Sequence, residues 1–148
     1  MNNLEYMKEA IRLAKLGEAC GEVPVGALVV LDNKIIGRGY NKPISSNSVS
    51  AHAEIIALEE ACKSVGNYRL PNAKLYVTLE PCSMCAGAIL HARLSEVYFG
   101  AYDSKSGACG SVLDIINHPK LNHKLKAAGG LLEETCVNLL KEFFKKRR

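Results

Sequence analysis

The stretch AKLYVTLEPCSMCAGAILHARLSEVYFGA, residues 73 to 101, decides the fold. Ala73 to Leu79 carries Leu75, Tyr76, Val77 and Thr78, the β-branched and aromatic types that suit a pleated strand. Pro81 has no N–H to give a ladder, and the small residues behind it predict a helix opening at Pro81 and running to about His91. Glu96 to Ala101 reads as a second strand. Strand, helix and strand in succession imply a crossover, and hence two neighbouring parallel strands with a helix against the sheet.

Working outward, Leu4, Met7, Ile11 and Ala14 recur at helical spacing, and Leu13 and Leu16 widen the stripe, so residues 3 to 20 read as an amphipathic helix. Two apolar runs, Val25 to Leu31 and Ile35 to Tyr40, flank Asp32-Asn33-Lys34 as a hairpin would. Residues 41 to 51, NKPISSNSVSA, form a polar loop, and Ala53 to Lys63 are good helix formers, which puts His52 and Glu54 at a helix N-terminus. Residues 131 to 146 predict a last helix with Leu132, Cys136, Leu139 and Phe143 as its apolar stripe. The fold class is α/β, a sheet layered by helices. At 148 residues the chain reads as one domain, 1 to 148.

Composition narrows the function. With 48% hydrophobic and 23% charged residues the chain is neither disordered nor low in complexity. The start, MNNLEYMKEA, lacks the apolar core of a signal peptide, and the run from Val25 to Leu31 is too short to cross a membrane. A cytosolic protein without a membrane partner is therefore expected, and in that reducing compartment six cysteines are free thiols or metal ligands. Cys20, Cys62, Cys109 and Cys136 read as small buried hydrophobes. The formal charge of +4 identifies nothing by itself. Its placement is more telling: Lys120, Lys124, Lys126, Lys141, Lys145, Lys146, Arg147 and Arg148 crowd the end of the chain against Glu133, Glu134 and Glu142. A solvated helix end and a site for an anionic partner both account for that run.

The chemistry rests on His52-Ala53-Glu54 followed by Pro81-Cys82-Ser83-Met84-Cys85. In a chain of this composition H-x-E arises by chance with a probability of roughly a third, but P-C-x-x-C in roughly one chain in a hundred, so the second half carries the selectivity. Zinc prefers thiolate and imidazole in a tetrahedron, and three protein ligands, His52, Cys82 and Cys85, leave the fourth position for water, as in a catalytic site. A helix N-terminus favours the thiolate form of both cysteines, which stand one turn apart. Glu54 lies two residues from His52, off its helical face, which suits a proton carrier better than a ligand. Zinc lowers the pKa of bound water to about 7, and the resulting hydroxide would add to a ring carbon bearing an exocyclic amine, with Glu54 protonating the adjacent ring nitrogen and then the departing ammonia. Cytosine carries that amidine around C4 and adenine around C6, so the motif does not name the base. Two rivals stand beside this reading. A closed structural site would draw a fourth ligand from His91, Cys109, Cys62 or His118, none of which has a partner at short ligand spacing. A C-x-x-C redox pair leaves H-x-E without a role.

The residues around the motif, Glu22-Val-Pro-Val-Gly-Ala27, Ala51-His-Ala-Glu-Ile55, Asn67-Tyr-Arg-Leu70 and Leu75-Tyr-Val-Thr-Leu-Glu-Pro-Cys-Ser-Met-Cys-Ala-Gly-Ala88, closely resemble the bacterial tRNA-specific adenosine deaminases, the TadA family. Phe99-Gly-Ala101, Asp103, Gly110-Ser111, Asn122-His123 and Phe143-Phe144 extend the resemblance over the whole chain. It implies a cytidine-deaminase-like fold, three-layer α/β/α around a mixed five-stranded sheet. It also implies one zinc ion per subunit, a homodimer, and conversion of the wobble adenosine of a tRNA anticodon stem-loop to inosine. By the same resemblance Asn41 would contact the flipped nucleoside, the backbone at Ala53 and Pro81 would hold the base edge, Asp103 and Lys105 would line the path of neighbouring nucleotides, and Phe144, Arg147 and Arg148 would meet the tRNA. The chain departs from the family at Tyr40, where a Trp often precedes the Asn, and at Cys109, where Ala is usual. A small-molecule deaminase of the guanine or cytidine type, using the same zinc site, is the enzymatic alternative and needs no basic C-terminus. A scaffold with structural zinc is the non-enzymatic one.

Overall fold

The computed structural model describes residues 1–147. Helix α1, Asn3–Ala19, begins at a capping box in which the Asn2 side chain accepts from the Glu5 N–H and the Glu5 carboxylate accepts from that of Asn2. Strands β1, Gly26–Leu31, and β2, Lys34–Tyr40, form a hairpin across Asp32-Asn33, both at positive φ. The turn is thus the tight two-residue kind, and Lys34, expected within it, already pairs with Leu31. The rest runs α2 (Pro43–Ser46), α3 (Ala53–Val65), β3 (Lys74–Leu79), α4 (Ser83–His91), β4 (Glu96–Ala101), β5 (Lys126–Ala128) and α5 (Glu133–Lys145).

The strands form one mixed sheet in the order β2-β1-β3-β4-β5. β1 is antiparallel to β2 and β3, while β3, β4 and β5 run parallel, as the crossover through α4 requires. Alternation along the central strands feeds two cores. Val29, Val77, Val97 and Phe99 face α3 and α4, whereas Leu28, Tyr76 and Tyr98 face α1 and α5. The expected three layers around five strands are what the chain forms. Among the described residues no helix is long and apolar enough to cross a membrane.

Close helix approach depends on glycines in the strands. A Cβ at Gly26 would stand 2.0 Å from the Ala10 carbonyl of α1, and one at Gly37 would stand 2.2 Å from the Ala57 carbonyl of α3. Helix α1 is also tied to β2 electrostatically, because Glu9 pairs with Arg12 and Arg38. Hydrogen bonding to Arg12, against a desolvation cost, holds the Glu9 carboxyl down to about 2. A carboxyl lowered on folding stabilises above its ordinary value of 4.5 and loses that contribution as pH falls toward 2. Glu9→Gln is therefore expected to cost about 0.5 kcal/mol at pH 7 after solvent screening. The gap from wild type in denaturant melts should close as the pH is lowered toward 2.

Several local expectations are corrected. The loop after β2 contains the short helix Pro43–Ser46, opened by a proline whose fixed φ suits a first helical turn. Pro81 precedes the helix it was expected to open: Cys82 is the N-cap and Ser83 the first helical residue. The last helix starts at Glu133, with Leu132 as its N-cap in the left-handed region. Cys20 caps the C-terminal end of α1 and is exposed, and Cys62 and Cys109 are half-buried, so only Cys136 of those four behaves as a buried hydrophobe.

Candidate active site

The sequence brings two helix N-termini together. His52 is the N-cap of α3 and Cys82 the N-cap of α4, both in extended backbone, and neither side chain caps its own helix. At such positions Ser, Asn or Asp normally turns back to accept an N–H. Here the two side chains reach each other instead: His52 Nδ1 lies 3.6 Å from Cys82 Sγ and 3.5 Å from Cys85 Sγ, the latter one turn into α4. The three ligand atoms all lie within 4.8 Å of one another. Tetrahedral zinc with Zn–S of about 2.3 Å and Zn–N of about 2.0–2.1 Å sets an N···S edge of about 3.6 Å, so the donors fit that ion in both chemistry and spacing.

Left to themselves the two thiols hold one proton between them. Hydrogen bonding to Cys85, and then to His52, lowers Cys82 to about 3, while hydrogen bonding to Cys82 together with burial pushes Cys85 up. His52 is raised, chiefly by its hydrogen bond with Cys82. A divalent cation draws off the second thiol proton, since thiolate is the ligating form.

Glu54 sits in the first turn of α3 and is 4% exposed. Burial pushes its carboxyl up to about 7, partly offset by its own backbone N–H and by His52. A carboxyl of that pKa is poised to take and give protons near neutrality. It is not one of the three clustered ligand residues.

The remaining expected residues fall in two places. Asn41 stands beside the metal group, where its side-chain oxygen accepts the Ala53 N–H at 2.9 Å and so caps α3 from outside. Asn41 consequently keeps its amide NH2, and one lone pair of that oxygen, to offer a substrate. The Ala53 N–H is likewise engaged, and the Pro81 carbonyl accepts from Ala108 at 2.8 Å. Asp103 and Lys105 lie instead on a cleft of about 910 Å³, shared with Tyr102, Lys141, Phe144 and Lys145. Tyr102 and Phe144 are both about half exposed there, at 52% and 48%. Arg147 is exposed and stacks over the Phe143 ring at 3.6 Å, and Arg148 lies outside the described residues.

Over residues 1–148 the chain matches the family described as MafB19-like deaminase. It is 52% identical to the tRNA-specific adenosine deaminase of Haemophilus influenzae, over 97% of this chain and 84% of the relative. The chain belongs to the tRNA-specific adenosine deaminase family. Among solved structures, one from a study of A-to-I editing by tRNA:A34 deaminases at the wobble position superposes with a TM-score of 0.89 at 42% identity, covering 92% of this chain and 99% of that one. The guanine deaminase of Bacillus subtilis superposes less well, with a TM-score of 0.68 at 40% identity over 77% of this chain and 72% of that one.

In this deaminase the sequence reading missed the parts played by two buried carboxylates, Glu22 and Glu80, 1% and 2% exposed. Glu22 accepts the N–H groups of Ile44 and Ser45 and so pins α2 beside Asn41. Glu80 accepts from Asp103, Cys109 and Ser111. Burial pushes both carboxyls up, yet these hydrogen bonds hold them below the ordinary value. The available signal was an acid directly abutting an apolar strand, as Glu80 does after Leu79.

Proposed function

We propose that this chain deaminates the wobble adenosine of a tRNA anticodon loop to inosine by hydrolysis. The observation that carries the chemistry is a buried carboxyl, Glu54, raised to about 7 beside three donors spaced for a tetrahedral ion. His52 Nδ1 and the sulfurs of Cys82 and Cys85 would hold one zinc ion, which when bound acidifies water and polarises it for attack. Glu54 takes the proton of the attacking water and passes it to the ring nitrogen next to the amine-bearing carbon. It next takes the proton of the added hydroxyl and passes it to the amine, so that the carbonyl forms as the C–N bond breaks and ammonia leaves. Asn41 orients the nucleoside through its amide NH2, and its tie to Ala53 fixes that orientation to the same helix turn that carries Glu54.

The substrate reading draws support from the cleft. Lys105, Lys141 and Lys145 set three cations against the single carboxylate of Asp103, and Tyr102 and Phe144 offer half-exposed rings on which unpaired bases can stack. Arg147, exposed over the Phe143 ring, adds a further cation, and Arg148 follows it in the sequence. Exposed apolar side chains support a homodimer as well. Tyr68, Val65 and Met84 are exposed apolar residues of α3, α4 and the turn after α3. Tyr68 also lines a groove of about 430 Å³ between these two helices. A second copy covering that face would make the homodimer, which light scattering would report as twice the chain mass. With tRNA as substrate the reaction belongs in the cytosol.

The deciding experiment incubates the zinc-loaded protein with an anticodon stem-loop carrying adenosine at the wobble position, beside free adenosine, cytidine and guanine. Inosine confined to the stem-loop, with one zinc per chain by metal analysis, is the expected result. Ammonia from guanine or a free nucleoside, with no inosine in the stem-loop, would instead establish the small-molecule deaminase.

A further inference from the structure

The segment 102–111 leaves the end of β4, exposes Ser104, Lys105 and Ser106 at its tip, and returns with Gly107 and Ala108 buried. One carboxylate closes this excursion. Glu80 Oε1 accepts the Asp103 N–H at 3.0 Å and the Ser111 hydroxyl, and Oε2 accepts the N–H groups of Cys109 at 3.0 Å and Ser111 at 3.1 Å. Glu80 forms no ion pair among the described residues, so its charge is met by these donors alone. The fit is tight: a Cβ at Gly107 would stand 2.4 Å from the Glu80 carboxyl carbon. At its other side Glu80 is joined to the metal-ligand turn, directly preceding Pro81 and Cys82, and the Pro81 carbonyl takes the Ala108 N–H.

We propose that Glu80 is a positioning residue for the deamination, a buried anionic clamp that fixes the 103–111 segment against the metal-ligand turn and so holds Asp103 and Lys105 in register with the reacting base. The inference rests on the tRNA reading for the identity of what Asp103 and Lys105 meet. Glu80 itself moves no proton of the reaction, because both of its oxygens are filled by loop donors. Its effect is on how the nucleotides flanking the target are held, and therefore on KM more than on kcat.

Glu80→Gln keeps the shape but, whichever way the amide is turned, sets its NH2 against a backbone N–H that can only donate, that of Asp103 at one oxygen position or those of Cys109 and Ser111 at the other, which opens the clamp. For the anticodon stem-loop its KM should rise about tenfold while kcat changes by less than about twofold. Zinc content and the acid limb of the pH profile should stay as in wild type, and hydrogen exchange of amides 103 to 111 should quicken while those of α3 and α4 do not. A fall in kcat with unchanged KM, or a displaced acid limb, would put Glu80 in the proton chemistry and overturn the proposal, as would an unchanged KM. Where Glu80→Gln does not fold, Ser111→Ala decides: it removes the hydroxyl donor from the same carboxylate and should raise KM about threefold, an unchanged KM again overturning the clamp. A wild-type protein that makes no inosine in the stem-loop would defeat the substrate reading instead, and the exchange of amides 103 to 111 would still report on the clamp.

Discussion

Replacing Glu54 with glutamine should lower turnover of the stem-loop by about 10³- to 10⁴-fold and leave the metal bound. Glutamine fills the same buried volume but can neither accept a proton from water nor return one to the leaving amine. The metal should stay because, among the described residues, the clustered donors are His52, Cys82 and Cys85. Loss of zinc along with activity would make Glu54 a ligand, and unimpaired turnover would remove it from the mechanism. The same variant carries a stability signature in protein stripped of metal. Burial raises the Glu54 carboxyl from 4.5 to about 7, so ionising it in the folded state is penalised. The penalty is absent below the ordinary value, grows as pH rises toward about 7, and is constant above that. The metal-free glutamine protein should accordingly be the more stable of the two at pH 8 and equal to wild type at pH 4. Urea melts at those two pH values measure the difference, which reflects a site held in a strained electrostatic state for the sake of its chemistry.

How much of this was readable beforehand depends on whether a residue's partner is near in sequence. The β3-α4-β4 unit was legible because alternating apolar residues and Pro81 act locally, within a few positions. The metal donors were legible because Cys82 and Cys85 share one helical turn and zinc admits few other ligand sets. The short strand Lys126–Ala128 is not legible in the sequence: three residues with two alanines carry no strand pattern, and only its ladder with Glu96–Tyr98 makes it one. Cys20 was misjudged because cysteine's preference for burial says nothing about a helix that ends one residue earlier. Glu22 and Glu80 stand within the family-like motifs, yet the sequence assigns them no task. Their partners are backbone N–H groups 22 to 31 residues away, and a backbone donor leaves no mark in the sequence. The N-cap positions of His52 and Cys82 were approached but not reached, since spacing alone does not separate a cap from a first turn.

Those two caps converge only because α3 lies close on the sheet, and Gly39→Ala should therefore disable the site from outside it. Gly37 and Gly39 stand two residues apart on β2, on the face that α3 crosses. A Cβ at position 39 would stand 2.5 Å from the Ala53 carbonyl and 2.8 Å from the Ala57 N–H, both backbone atoms that no rotamer change can withdraw. Relief requires the first turn of α3 to lift by about 1 Å, and such overpacking costs about 1–3 kcal/mol. The turn that lifts carries His52 and Glu54, while Cys82 and Cys85 belong to α4 and do not follow it. The N···S edges of 3.5 and 3.6 Å then lengthen, so zinc should bind more weakly, and a misplacement of that size can cost about 10²-fold in kcat/KM. Gly87→Ala, in α4, is the matched comparison: nothing stands within 4 Å of its Cβ, and alanine there should raise stability by about 0.5–1 kcal/mol, since glycine is the poorer helix former. The same change of side chain thus has opposite signs at two positions, and thermal melts with zinc titrations of both variants test the difference. A Gly39→Ala protein with wild-type stability and zinc affinity would show that the metal geometry does not depend on the seating of α3 against β2.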